Sequence, residues 1–305
     1  KKEDAKENYI KAIESLERID IFNLMVITKC EAMNNNDGIY RRILTRAVEF
    51  CEDQRAFLLI DPFYSWHPSD ISQTQNIIEN ISEVRSIIPQ HQCAVYYPFL
   101  MISESDPVTR DEFLREIGPA AAVAGVIARI DSQRGVWKAP AGIEAMLTGF
   151  ERLSVNLTDD ENGDLNVLGV NCIRAFISGI TCWGARTVAG FDNSGTAWKY
   201  ISTRRLTLFI EETLYRATRW VVFEPNDEPL WAKIRSSINP FMLDLYEKGA
   251  FQGTPDQAFF VKCDSETTTT EDQENGIVNI IVGFAPVKPA EFVIITIQRI
   301  MGKLS

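Results

Sequence analysis

The chain has 305 residues, 45% of them hydrophobic and 24% charged, enough to bury one large core or two moderate ones. A formal net charge of -11 argues against broad nucleic-acid binding, which needs clustered Lys and Arg to displace phosphate counterions. The six cysteines (Cys30, Cys51, Cys93, Cys172, Cys182 and Cys263) form no CxxC pair and have no His at metal-ligand spacing, so neither a metal nor a cofactor is expected.

Residues 1–18 are rich in Lys and Glu, with Tyr9, Ile10, Ile13 and Leu16 at helical spacing, which predicts a solvated amphipathic helix. A strand over 21–27 follows, then a helix with Ile39, Ile43, Ala47 and Phe50 on one face and Asp37 placed to cap it. Residues 56–61 form a short apolar run stopped by Pro62, a buried strand. A loop holding Trp66, His67 and Pro68 leads to a helix with Ile77, Ile81, Val84 and Ile88 on one face, and 93–97 is strand again. Strand and helix alternate up to about residue 100, which predicts an α/β layer with a mainly parallel sheet and helices on its faces. The small apolar residues 120–130 suit a helix packed close against that sheet.

The stretch 129–142 gathers Arg129, Asp131, Arg134, Lys138 and Trp137 around Gly135, Pro140 and Gly142 with almost no periodicity. It reads either as an anion site in a catalytic loop or as a set of ion pairs bracing a loop between two layers. Beyond it, 143–149 reads as helix, 159–164 as an acidic turn, and 171–177 and 180–188 as strands. A long helix over 203–220 turns Leu206, Phe209, Ile210, Thr213, Leu214 and Ala217 inward and sets Glu212 and Arg216 as an i,i+4 pair. The turn 223–227 caps a helix over 228–248, with Pro240 expected to kink it and Gly249 to end it. Strands are expected at 258–263, 277–284 and 291–300, with a mobile polar loop over 265–275.

No GxSxG elbow, phosphate loop, GxGxxG or HExxH is present. Two histidines, His67 and His91, are the whole supply, and Asp61 ends a strand where open α/β sheets place ligand groups. An enzyme or ligand-binding protein would therefore have to build its pocket from Asp61, His67, Arg129 and Lys138. The C-terminal strand alternates Val293, Ile295 and Ile297 with Phe292, Ile294, Thr296, Gln298 and Ile300, both faces largely apolar. It is either an inner strand of its own domain or an edge offered to another chain.

The ordered set RGVWKAPAG (134–142), LNVLGVNCIR (165–174), WGARTV (183–188), YISTRRL (200–206), VFEPND (222–227), KGAFQG (248–253), AFFVKCD (258–264) and VKPAEFVIITI (287–297) resembles the contractile tail sheath proteins. These build the sheaths of contractile phages, R-type pyocins and extracellular contractile injection systems. The earlier IDIFNLMVI, LLIDP and AVYYPFL segments fit the same family's core, so the resemblance runs from about Ile19 to the end.

That resemblance implies a structural subunit without a catalytic centre. Its expected parts are a charged N-terminal helix over 1–18, an α/β half over 19–142, an α+β sheath domain over 143–285, and a linker with an exchanged strand over 286–305. It implies that Glu291, Phe292, Val293, Ile294, Ile295, Thr296, Ile297, Gln298 and Arg299 are donated to a neighbouring subunit. Pro286 and Pro289 would be the hinge, Lys233 and Arg235 would contact an inner tube, and Arg129, Asp131, Arg134 and Lys138 would be structural ion pairs. The implied partners are further sheath subunits, with hexameric rings stacked helically as one arrangement, the inner tube, and baseplate and cap proteins. Nucleic acid and direct membrane insertion are not expected. The implied location is a virion tail or contractile particle assembled in the bacterial cytoplasm, with extracellular release as one outcome. An N-terminal arm is not evident, so it is expected upstream of Lys1 or replaced by residues 1–15, and large outward insertions are expected to be lacking.

Overall fold

The structure is a computed structural model that describes residues 2–28, 39–62, 66, 77, 81–82, 85–86, 90–192 and 194–291. Its centre is a six-stranded sheet of β1 (Leu24–Val26), β2 (Phe57–Ile60), β3 (Cys93–Tyr97), β8 (Val170–Phe176), β9 (Gly179–Cys182) and β6 (Met146–Leu147), in that spatial order. The first four strands run parallel and the last two pair antiparallel, as an α/β layer with an antiparallel edge does. Every residue of β2 and β3 is buried, because both faces of the sheet are covered.

Strand alternation divides the apolar residues between two cores. Leu58, Ile60, Val95 and Tyr97 face one side, where they meet Ile43 and Val48 of α2 (Ile39–Asp53) and Ile13 of α1 (Lys2–Ser15). Phe57, Leu59, Ala94 and Tyr96 face the other, against Val123, Ile127 and Ile130 of α3 (Ala120–Arg134). A small sheet projects from this body: the hairpin of β4 (Leu100–Ser105) and β5 (Glu112–Ile117), with β7 (Arg152–Leu153) along its other side. The sequence reading assigned nothing to the hairpin, whose strands are mostly half-buried or exposed and so lack clean alternation.

A third core is built by α5 (Ile201–Ala217), α6 (Glu228–Glu247) and the two-stranded sheet of β10 (Phe259–Lys262) and β11 (Ile281–Phe284). Asp227 caps α6 by accepting from the Leu230 amide, and Gly249, at φ 83°, ends it. The helix continues through Pro240.

Several expectations are corrected. Residues 143–149 hold turns and β6, because their apolar residues serve the sheet edge beside β9 rather than a helix face. The acidic run is no turn: it opens α4 (Asp159–Val167), whose N-terminus is closed by a reciprocal Thr158–Glu161 box and favoured by three carboxylates. The strand expected over 180–188 stops at Cys182, and Val188–Gly190 is a 3-10 turn. Residues 129–134 belong to α3 rather than to a loop. The polar stretch after Cys263 is ordered by hydrogen bonds of Asp264 and Thr267 and by a short helix, Thr270–Glu274, with its own Thr269–Asp272 box. On α5, Phe209 is 42% exposed while Arg204 and Arg205 are buried. Finally, the boundary expected at 142/143 cuts through one sheet, since β6, β8 and β9 complete the layer begun by β1–β3.

Candidate assembly surface

At its C-terminal end α3 meets Gly135, whose φ of 93° stops the helix and whose missing Cβ makes room for the Trp137 ring, 2.4 Å from where that atom would stand. Just before this stop, Asp131 accepts two parallel hydrogen bonds from Arg205 of α5, at 2.8 and 2.6 Å. Arg129 donates to the carbonyls of Met146 at 2.7 Å and Glu144 at 3.2 Å, while Arg134 and Lys138 both approach the Glu144 carboxylate. Next to Arg205, Arg204 donates twice to Gln92 Oε1, at 3.0 and 2.8 Å, and Gln92 in turn bonds the Cys51 and Ala56 carbonyls. Two adjacent arginines thus tie α5 to the start of β3 through Gln92 and to α3 through Asp131. The sequence reading missed Arg204 and Arg205. Their signal is a pair of charges among the apolar residues of YISTRRL, where a buried guanidinium needs a partner.

A third buried arginine sits where the chain leaves the body. Arg186, 1% exposed, gives Nε and Nη2 to the two Glu291 oxygens at 2.7 and 2.8 Å. Its Nη1 reaches the Asn166 carbonyl at 2.8 Å and Asp192 Oδ1 at 2.9 Å. Tyr200 donates to Glu291 Oε2 at 3.2 Å, and Lys199 lies 3.8 Å from the same oxygen. Burial by itself pulls the Arg186 pKa down, but Glu291 and then Asp192 outweigh it and the net shift is upward. Burial raises the Asp192 carboxyl, which Lys199 and Arg186 then carry below its ordinary value. Nothing in WGARTV marked Arg186 as the partner of a residue over a hundred positions away.

Of the expected exchange strand only Glu291 is described; Phe292, Val293, Ile294, Ile295, Thr296, Ile297, Gln298 and Arg299 lie outside the described residues. Pro286 pairs with Phe251 in an antiparallel bridge flanked by bonds from Gln252 to Ala285 and from Val287 to Ala250. Pro289 lies between that bridge and Glu291. The sheet of β10 and β11 stands near this exit, and among the described residues neither of its strands has a second partner strand. Phe260 is 55% exposed and lies across Gly283, where an added Cβ would meet its ring at 2.2 Å. Ile281 is 48% exposed. Of the tube-contact candidates, Lys233 stacks over Trp220 at 4.5 Å, and Arg235 pairs with Glu228 at 2.7 Å and donates to the Cys263 carbonyl.

Asp61, Arg129 and Lys138, the described members of the pocket expected for an enzyme or ligand-binding protein, do not line a common cavity. Asp61 Oδ1 accepts from the Ala120 amide at 2.7 Å, at the N-terminus of α3. Arg129 lies about 14 Å further along that helix axis, and Lys138 beyond its end. His67 lies outside the described residues. A cavity of about 570 Å³ is lined by Asp131 and Arg205 and another of about 590 Å³ by Arg134 and Trp137; of Asp61, Arg129 and Lys138, only Lys138 lines either. Among the described residues no cluster of His, Cys, Asp and Glu is placed to hold a metal, and no helix is long and apolar enough to cross a membrane.

Comparison with known proteins agrees with this geometry. Residues 193–300 match the family described as the phage tail sheath C-terminal domain. The chain is 26% identical over 178 residues to the tail sheath protein of Vibrio phage KVP40, a match covering 57% of this chain and 25% of that protein. The helical sheath of the anti-feeding prophage in its contracted state superposes with a TM-score of 0.73 at 30% identity, covering 95% of this chain and 73% of that one. The contracted sheath complex of PVC, an extracellular contractile injection system, gives 0.72 at 29% identity, covering 98% and 80%. With its motifs in order, its fold shared and its identity sustained over nearly its whole length, the chain belongs to the contractile tail sheath family.

Proposed function

We propose that the chain is a structural subunit that polymerises helically around an inner tube and shortens to drive that tube through a target envelope. The observation that supports this most is the lone pair β10–β11, with both outer edges unpartnered among the described residues and Phe260 and Ile281 exposed. A two-stranded sheet is marginal alone, and unpaired backbone edges attract further strands. Donation of residues 291–299 by one copy to this sheet on the next gives a head-to-tail contact that does not close on itself, and such contacts generate helical arrays. Its partners in this reading are further copies of the same chain, an inner tube, and baseplate and cap proteins, within a phage tail or extracellular contractile particle. The tube contact is assigned to Lys233 and Arg235 of α6, which stand on different sides of that helix. No catalytic role is assigned.

Electron microscopy of the purified chain beside one ending at Ala290 tests the reading. The full chain is expected to form tubular polymers and the shortened chain to remain dispersed. Equal polymerisation of both would overturn strand donation through this segment.

A further inference from the structure

The segment 285–291 is not packed down along its length. It crosses a cavity of about 590 Å³ whose opposite wall includes Trp137, Ala139 and Trp183, and none of its residues is fully buried. Two points hold it: the bridge of Pro286 to Phe251, and the seat of Glu291 in Arg186. The second is the stronger in kind. A planar guanidinium matches both carboxylate oxygens at once, and with Glu291 seated Arg186 is only 1% exposed.

We propose that Arg186 is a positioning residue for assembly: by seating Glu291 it fixes the point from which the chain continues into the donated residues. This rests on the strand-donation reading above. Fixing the exit beforehand lowers the ordering cost of adding the strand to a neighbour, in the way preorganisation strengthens any association. It also locks the stretch that contains Pro289, so bending there requires Glu291 to leave its seat. Tyr200 and Lys199 support the carboxylate from its open side, and Asp192 balances the remaining guanidinium charge.

The test compares Glu291→Gln and Arg186→Lys with the wild-type full chain, by hydrogen exchange on the dispersed protein and by the concentration at which polymers appear. In both variants the amides of Val287, Lys288, Ala290 and residue 291 are expected to exchange about tenfold faster, and polymers to need about tenfold more protein. Wild-type exchange in that segment, or wild-type polymerisation despite faster exchange, would overturn the proposal. If Arg186→Lys does not fold, Tyr200→Phe, which removes only one hydroxyl donor, is expected to show a smaller shift in the same two readouts; no shift counts against it. A chain ending at Ala290 that still polymerises sinks strand donation itself. A shortened chain that fails beside a Glu291→Gln chain that assembles normally sinks only the positioning role.

Discussion

At the scale of single residues, buried charges join the layers. Arg205 is 8% exposed and has Asp131 as its carboxylate partner, so loss of that partner strands a cation that water reaches poorly. Removing one member of a fully buried pair costs about 3–5 kcal/mol; because Asp131 is partly exposed, Asp131→Ala is expected to lower unfolding free energy by about 2 kcal/mol. Urea denaturation with an unchanged slope checks this, and a loss within error would mean that the pair braces nothing. The thiols give a second residue-scale prediction. Burial pushes the thiols of Cys51, Cys172 and Cys182 up to about 12, and those of Cys93 and Cys263 upward as well. Thiolate is the reactive form, so a disulfide reagent near neutral pH is expected to label at most Cys30 in the native protein and all six cysteines in denaturant. Rapid native labelling of two or more would contradict the packing described.

At the scale of elements, the chain relies on carboxylates and hydroxyls at helix starts. Asp61 reaches from the end of β2 to the first amide of α3, and Gly118 leaves it room: an added Cβ there would stand 2.2 Å from the Asp61 carboxyl carbon. Asp61→Ala is therefore expected to cost about 1–2 kcal/mol, with the lost stability read by thermal or urea unfolding. A neutral effect would return Asp61 to the list of residues without an assigned task. Long apolar elements were legible in the sequence: β2, β3, α3 and α6 are found close to where periodicity and punctuation put them. Short ones were not. The Thr158 and Thr269 boxes start helices in runs so polar that they read as turn and loop, and β6 holds only two residues. The buried arginines explain the remaining misses, because Arg186–Glu291, Arg205–Asp131 and Arg204–Gln92 join positions far apart in sequence.

At the scale of the molecule, two cores lie on either side of one sheet and a third beneath a two-stranded sheet whose outer edges have no partner strand among the described residues. The stretch 129–142 carried the strongest look of chemistry in the sequence, yet its charges are spent on Arg205, Glu144 and backbone carbonyls. Among the described residues, backbone on the outer edges of β10 and β11 has no partner strand, the kind of surface that recruits another strand. Helical reconstruction of polymers formed by the full chain tests this most directly. The account predicts a third strand, contributed by a neighbouring copy, hydrogen-bonded to Phe259–Lys262 or to Ile281–Phe284 in every subunit. Ordered polymers in which that sheet keeps only its own two strands would contradict it.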